Sequence, residues 1–244
     1  MKKHLFIRII AIAAIVIGFT AFMIPSGNIG GLNSPVEKNS YSGEKFSKIS
    51  ISISAKVNIE QGDVYSVLID ADENTLEKIL VEYSSDELHI SSKPASRINS
   101  PVEINITTPT LNAISLAGSG EVYMKKTFET SSMDLEIAGS GSMSINDLKA
   151  DKVSASIAGS GDLVLAGGKA GSYEDFSIAG SGKVDALNFK SSTADVEIAG
   201  SGDCKLFATE KLNVSIAGSG TVYYKGKPVL KSESVGSGKV VSID

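Results

Sequence analysis

Residues 137–141 read IAGSG, and the same five letters return at 157–161, 178–182, 198–202 and 216–220. Looser copies, LAGSG at 116–120 and VGSG at 235–238, extend the series. The residues preceding the GSG turns are Ala117, Ala138, Ala158, Ala179, Ala199, Ala217 and Val235. Their spacings by subtraction are 21, 20, 21, 20, 18 and 18. A fixed period near 20 is the mark of a repeat architecture.

Around each turn the side chains alternate. In VSASIAGSGDLVL (153–165), Val153, Ala155 and Ile157 share one face, and Leu163 and Leu165 continue it after the turn. Residues 194–206 and 212–224 repeat the pattern. Period two on both sides of a bend means strand, turn, strand. Two architectures satisfy this: an antiparallel meander with GSG at each hairpin tip, or a parallel β-helix with one repeat per coil. A meander does not require the same residue in every copy. A β-helix does, because each position lies about 4.8 Å above its counterpart. The near-identity of the copies therefore favours an all-β, right-handed parallel β-helix (β-solenoid) of roughly 20-residue coils. Seven coils would extend roughly 35 Å.

The expected structural corners are Gly118, Gly120, Gly139, Gly141, Gly159, Gly161, Gly180, Gly182, Gly200, Gly202, Gly218 and Gly220. Glycine there admits backbone angles closed to other residues and removes a side chain that would strike the next coil. The isoleucines would form a buried column and the serines a hydroxyl ladder. Connecting arms at 146–152, 188–193 and 207–211 each carry an apolar anchor: Leu148, Phe189 and Phe207. They predict a short third side.

Residues 45–110 form a less regular N-terminal β part before the regular repeats of 111–244. Residues 72–80 carry a helical turn or two. This part either begins the solenoid or packs beside it, where it would shield an open edge.

Apolar residues make up 42% of the chain, with 24 Gly, 6 Pro and no Trp. Net charge is −5, which argues against a nucleic-acid partner. With one cysteine, Cys204, no intramolecular disulfide can form.

The chain begins with Lys2, Lys3 and Arg8, then an uncharged run of sixteen residues from Ile9 to Ile24. A basic region before an apolar one has the layout of an export signal. Extended by Leu5 to Ile7, it also approaches the roughly 20 residues of a spanning helix. Residues 1–26 are thus a cleaved signal or a retained N-terminal anchor, and either takes the rest of the chain out of the cytoplasm. The Gly/Ser/Asn-rich residues 27–44 form a linker, leaving 45–244 as the exported domain.

VNIEQGD (57–63), LVEYSSDELHI (80–90) and VEINITTPTLNAISLAGSGEV (102–122), followed by serial IAGSG copies, resemble the bacterial head GIN domain family. Its members are named auto-transporter adhesins. The resemblance spans about 45–242 and implies a β-helical cell-envelope protein, with no catalytic residues or cofactor carried over.

Chemistry requires clustered groups on one outward column. In-register stacking would make Asp175 and Asp195 neighbours, with Glu197 nearby; Tyr123 and Tyr223 point outward on the second strand. These five residues are the candidate binding face. The bland reading of the acidic ones is a solvated polar surface; the sharper one is a cation or carbohydrate site. Asp162, Lys183 and Asp203, just after the turn, suggest an ion-pair ladder. His89 stands alone in the expected mature chain, so no metal or catalytic triad is read here. Catalytic, cofactor and metal residues are none.

The expected function is a non-catalytic envelope solenoid, adhesin-like, binding a surface glycan or protein, or structural. The alternatives are a carbohydrate-active β-helix enzyme, lyase or hydrolase, and a membrane-anchored structural module. The outermost coil suggests end-to-end or side-by-side self-association, and membrane contact is expected only through the N-terminal segment.

Overall fold

The computed structural model describes residues 40–169 and 171–244. The expected leader at 1–26 and most of the expected linker lie outside the described residues. Among the described residues no helix is long and apolar enough to cross a membrane.

The regular part is a parallel β-solenoid, as the repeat implied. It is built from strands β8 (Ala113–Gly118), β9 (Glu121–Glu129), β10 (Ser132–Gly139), β11 (Ser142–Lys149), β12 (Lys152–Gly159), β13 (Asp162–Leu165), β14 (Gly168–Lys169), β15 (Gly171–Gly180), β16 (Lys183–Gly200), β17 (Asp203–Gly218), β18 (Thr221–Lys225), β19 (Val229–Gly236) and β20 (Lys239–Ser242). They form two parallel ladders. The first stacks β8, β10, β12, β15, the ends of β16 and β17, and β19. The second stacks β9, β11, β13, the starts of β16 and β17, then β18 and β20. The GSG corners join one ladder to the other and bound about six turns.

Register is strict at the corners: Ile137, Ile157, Ile178, Ile198 and Ile216 align, as do the alanines and first glycines after them. These isoleucines are 1–2% exposed, so the predicted column exists. The uneven spacing is absorbed in the arms. The register slips between Ile145 and Asp147, and between Ala186 and Lys190. The arms are themselves paired, anchored by buried Phe128, Leu148 and Phe189. Phe207 is a correction: it is half-exposed beneath Lys190 Nζ, 5.4 Å from its ring centroid, and Ala208 takes the inward position.

The two glycines of each corner answer different demands. Gly159 has φ +127°, a region that costs L side chains strain, and a Cβ there would lie 2.4 Å from the Gly139 carbonyl oxygen. That oxygen accepts the Ser160 N–H at 2.8 Å. Gly161 has ordinary φ, but a Cβ would sit 2.5 Å from Ile137 Cγ2, in the coil below. The corner serines are exposed. Their ladder runs through main-chain N–H groups, not hydroxyls as the sequence suggested, because the close glycine stacking brings carbonyl and amide together first.

The N-terminal part both begins the solenoid and closes it. It contains β1 (Ser40–Ser42), β2 (Lys48–Ile51), β3 (Lys56–Gln61), β4 (Ser66–Asp70), helix α1 (Glu73–Leu76), β5 (Ile79–Ser84), β6 (Glu87–Ser92) and β7 (Glu103–Thr108). β2 and β3 form a coil lying between β6–β7 on one side and β8–β9 on the other. Spatial order therefore departs from chain order. β4 and β5 then pair antiparallel with β7 and β6, flanking the outer edge of the β6–β7 coil. Below it Phe46, 1% exposed, packs edge-on to Tyr65 with centroids 5.3 Å apart. The single turn of α1 is capped by Asp72, which accepts the Thr75 N–H at 3.0 Å.

Candidate functional site

Alternation that turns Ile, Val and Leu inward turns the intervening residues outward. On the first ladder this produces two in-register columns. One reads Ala113, Asp134, Ser154, Asp175, Asp195, Asn213; the other reads Ser115, Glu136, Ser156, Ser177, Glu197, Ser215. Asp175 and Asp195 are direct neighbours, and Glu197 is two residues along from Asp195. The result is a side lined with carboxylates and hydroxyls, with the ladder holding adjacent coils about 4.8 Å apart.

The columns are cross-linked. Asp195 accepts from the Tyr173 hydroxyl through Oδ2 at 2.6 Å and from the Asn213 amide through Oδ1. Ser115 donates to Glu136 at 2.7 Å. Tyr173 was not singled out from the sequence. The signal was present, since it stands two residues before Asp175 and alternation sends both outward.

Tyr123 and Tyr223 lie elsewhere. Both sit in one outward column of the second ladder, Tyr123 beside Asn58 and Ser144, Tyr223 beside Lys205. Tyr123 donates to Glu121 at 2.9 Å, and this bond is the main reason its hydroxyl is held above the usual tyrosine range. The candidate residues thus divide between two sides of the solenoid: three carboxylates on the first ladder, two tyrosines on the second.

The charged column after the corner is in register, Asp162 beside Lys183 beside Asp203. Among the described residues no ion pair forms along it. Pairs form in other columns, such as Lys205–Asp185 at 3.9 Å, also in-register neighbours. His89 is on β6 opposite Glu82 of β5, at the closed end of the solenoid. Cys204 is fully buried on the second ladder, and burial pushes its thiol well up, away from a reactive thiolate. Among the described residues, no group of three or more His, Cys, Asp and Glu is placed to hold a metal ion.

Glu174 is the second residue that the sequence reading passed over. Alternation through Glu174, Phe176 and Ile178 points all three inward, and Glu174 is 0% exposed. It stacks between Val153 and Ala194. Neither carboxylate oxygen has a hydrogen-bond partner. Burial raises its carboxyl to about 8; the nearby Ser191 hydroxyl opposes this only weakly, since it donates to the Phe207 carbonyl at 3.5 Å.

A two-ladder parallel solenoid with a less regular N-terminal part defines a β-solenoid repeat protein. The sequence profile of the family described as "putative auto-transporter adhesin, head GIN domain" matches residues 45–228, and the chain belongs to that family. No curated protein matches the sequence. Among solved structures, a putative adhesin from Bacteroides fragilis is similar at 24% identity and TM-score 0.77, covering 84% of this chain and 95% of its own. A putative adhesin from Parabacteroides merdae shares 20% identity at TM-score 0.69, over 84% and 95% of the two chains. A protein from Parabacteroides distasonis titled a putative lipid binding protein shares 25% identity at TM-score 0.66, over 85% and 98%.

Proposed function

We propose that the chain is an exported cell-envelope protein that binds, without catalysis, a surface glycan or protein on the outward side of its first ladder. The observation that carries this reading is the in-register strip of Asp134, Glu136, Asp175, Asp195 and Glu197 among serines. Carboxylates accept from sugar hydroxyls or from peptide and lysine N–H groups, and serine hydroxyls both donate and accept. A rigid ladder presents them at a fixed repeat, so little ordering entropy is lost on binding. The family's adhesin description supports the same reading.

The test is a glycan and matrix-protein array probed with the full chain, with lyase and hydrolase assays on the same glycans. Lipid vesicles form a third arm, prompted by the relative titled as lipid binding. Retention of a glycan or protein without turnover is the expected result. Turnover, or capture by vesicles alone, overturns the proposal.

A further inference from the structure

The far end of the solenoid differs from the first. β4 and β5 cover the outer edge at the N-terminal end. β19 pairs with β17 on one side, and no strand pairs with its other side among the described residues. Every residue of β19 is exposed, Val229 by 76% and Val235 by 72%.

The edge has a defined polarity. Ser237 donates its N–H to Gly218 at 2.9 Å, as Ser140 does to Gly118, and in the equivalent strand β10 Asp134 donates to Asn112. The same alternation along β19 turns Lys231, Glu233 and Val235 toward β17 for their main-chain bonds. It leaves the N–H and C=O groups of Leu230, Ser232 and Ser234 facing outward along the stack. These are the inward-facing residues, aligned with Leu212, Val214 and Ile216. Lys231 and Glu233 share the outer side, 4.0 Å apart.

The sequence of this edge, VLKSESV, is self-complementary about Ser232. We propose that β19 pairs antiparallel with β19 of a second copy of this chain, on a two-fold axis through Ser232. Ser232 then meets Ser232 of the other copy in a hydrogen-bonded pair, and Leu230 meets Ser234 in two more. The non-hydrogen-bonded positions, where side chains approach closest, place Lys231 opposite Glu233 twice and Val229 opposite Val235 twice. Each free main-chain group gains a partner, each charge faces its opposite, and the most exposed valines are covered. A slip of two residues in register breaks both matches. The serines replacing Val214 and Ile216 in the inward columns suit a junction that must remain soluble when apart. Because the two-fold pairing uses the same strand of both copies, association closes at two copies instead of growing into a fibre.

Light scattering after size exclusion, on the full chain over a range of concentrations, tests this. Wild type is expected at twice the chain mass of 25.4 kDa. Lys231→Glu and Glu233→Lys, each alone, set like charges opposite and weaken association about tenfold or more. The double variant K231E/E233K restores it, and so does mixing the two single variants, which pairs opposite charges across the interface. These side chains are exposed, so circular dichroism of all variants matches wild type. A wild type that remains monomeric, or association indifferent to either reversal, overturns the proposal.

Discussion

At the scale of single residues, the corner glycines carry separable costs. Gly161→Ala meets Ile137 Cγ2 at 2.5 Å and the Gly141 carbonyl oxygen at 2.7 Å, and costs about 1–3 kcal/mol through overpacking. Gly159→Ala adds backbone strain at φ +127° to a contact of 2.4 Å, so it costs more. Ser160→Ala, on an exposed side chain, stays within about 0.5 kcal/mol of wild type. Urea titration is expected to rank Gly159→Ala as the most destabilised, then Gly161→Ala, then Ser160→Ala. A serine variant more damaging than either glycine variant contradicts the assignment of the corner.

Glu174 is the other residue-scale feature with a measurable consequence. Its carboxyl lies near 8 in the fold against the usual 4.5, so the folded state holds a proton that the unfolded chain has released. The protonated fold is favoured at low pH. Stability linked to this group is fully present below pH 4.5, falls between 4.5 and about 8, and is lost above that. The whole change amounts to roughly 5 kcal/mol. Glu174→Val, matching Val153 in the preceding coil, stabilises the protein by roughly 3 kcal/mol at pH 7 and removes that slope. Thermal melts at pH 5 and pH 8 check it. An unchanged slope in the variant assigns the pH dependence elsewhere.

At the scale of elements, the question is which ladder reads a ligand. The combined change Asp175→Asn, Asp195→Asn and Glu197→Gln is expected to cut glycan or protein binding at least about tenfold. The melting temperature stays nearly unchanged, because these groups are only half-buried. Tyr123→Ala and Tyr223→Ala, on the second ladder, leave binding intact. The opposite pattern would transfer the site to the second ladder. The strands themselves were legible because alternation survives in every repeat. The arms were less so: bulges at 145–147 and 186–190 break the period, and inside a bulge the alternation no longer says which apolar residue turns inward. Phe207 lies outside these bulges: on β17 the alternation runs unbroken through Cys204, Leu206 and Ala208 and turns Phe207 outward, so its exposure was legible in the sequence.

At the scale of the whole molecule, each coil contacts mainly its neighbours, so a coil is removable. Deleting residues 158–178 joins Ile157 to Ala179, two positions already in step because Ile157 aligns with Ile178. The shortened chain is expected to fold cooperatively, with a smaller urea m-value and a stack about 4.8 Å shorter by small-angle scattering. It also loses Glu174, so its pH slope disappears as in Glu174→Val. An unfolded product shows that the coils are not interchangeable.

The sequence by itself determined the solenoid, its corners, the buried columns and the polar strips. Those follow from local alternation and from a repeat copied every 18 to 21 residues, and both are written along the chain. Only the tertiary structure decided three things. It inserted β2–β3 between β6–β7 and β8–β9, since pairing partners far apart in sequence leave no periodic trace. It divided the candidate face between two ladders, because which outward columns share a side depends on how the coil closes. It laid antiparallel β4 and β5 along the N-terminal coil and left β19, among the described residues, paired on one side only, because an edge is defined by the strand that pairs with it, and that is a property of the assembled sheet.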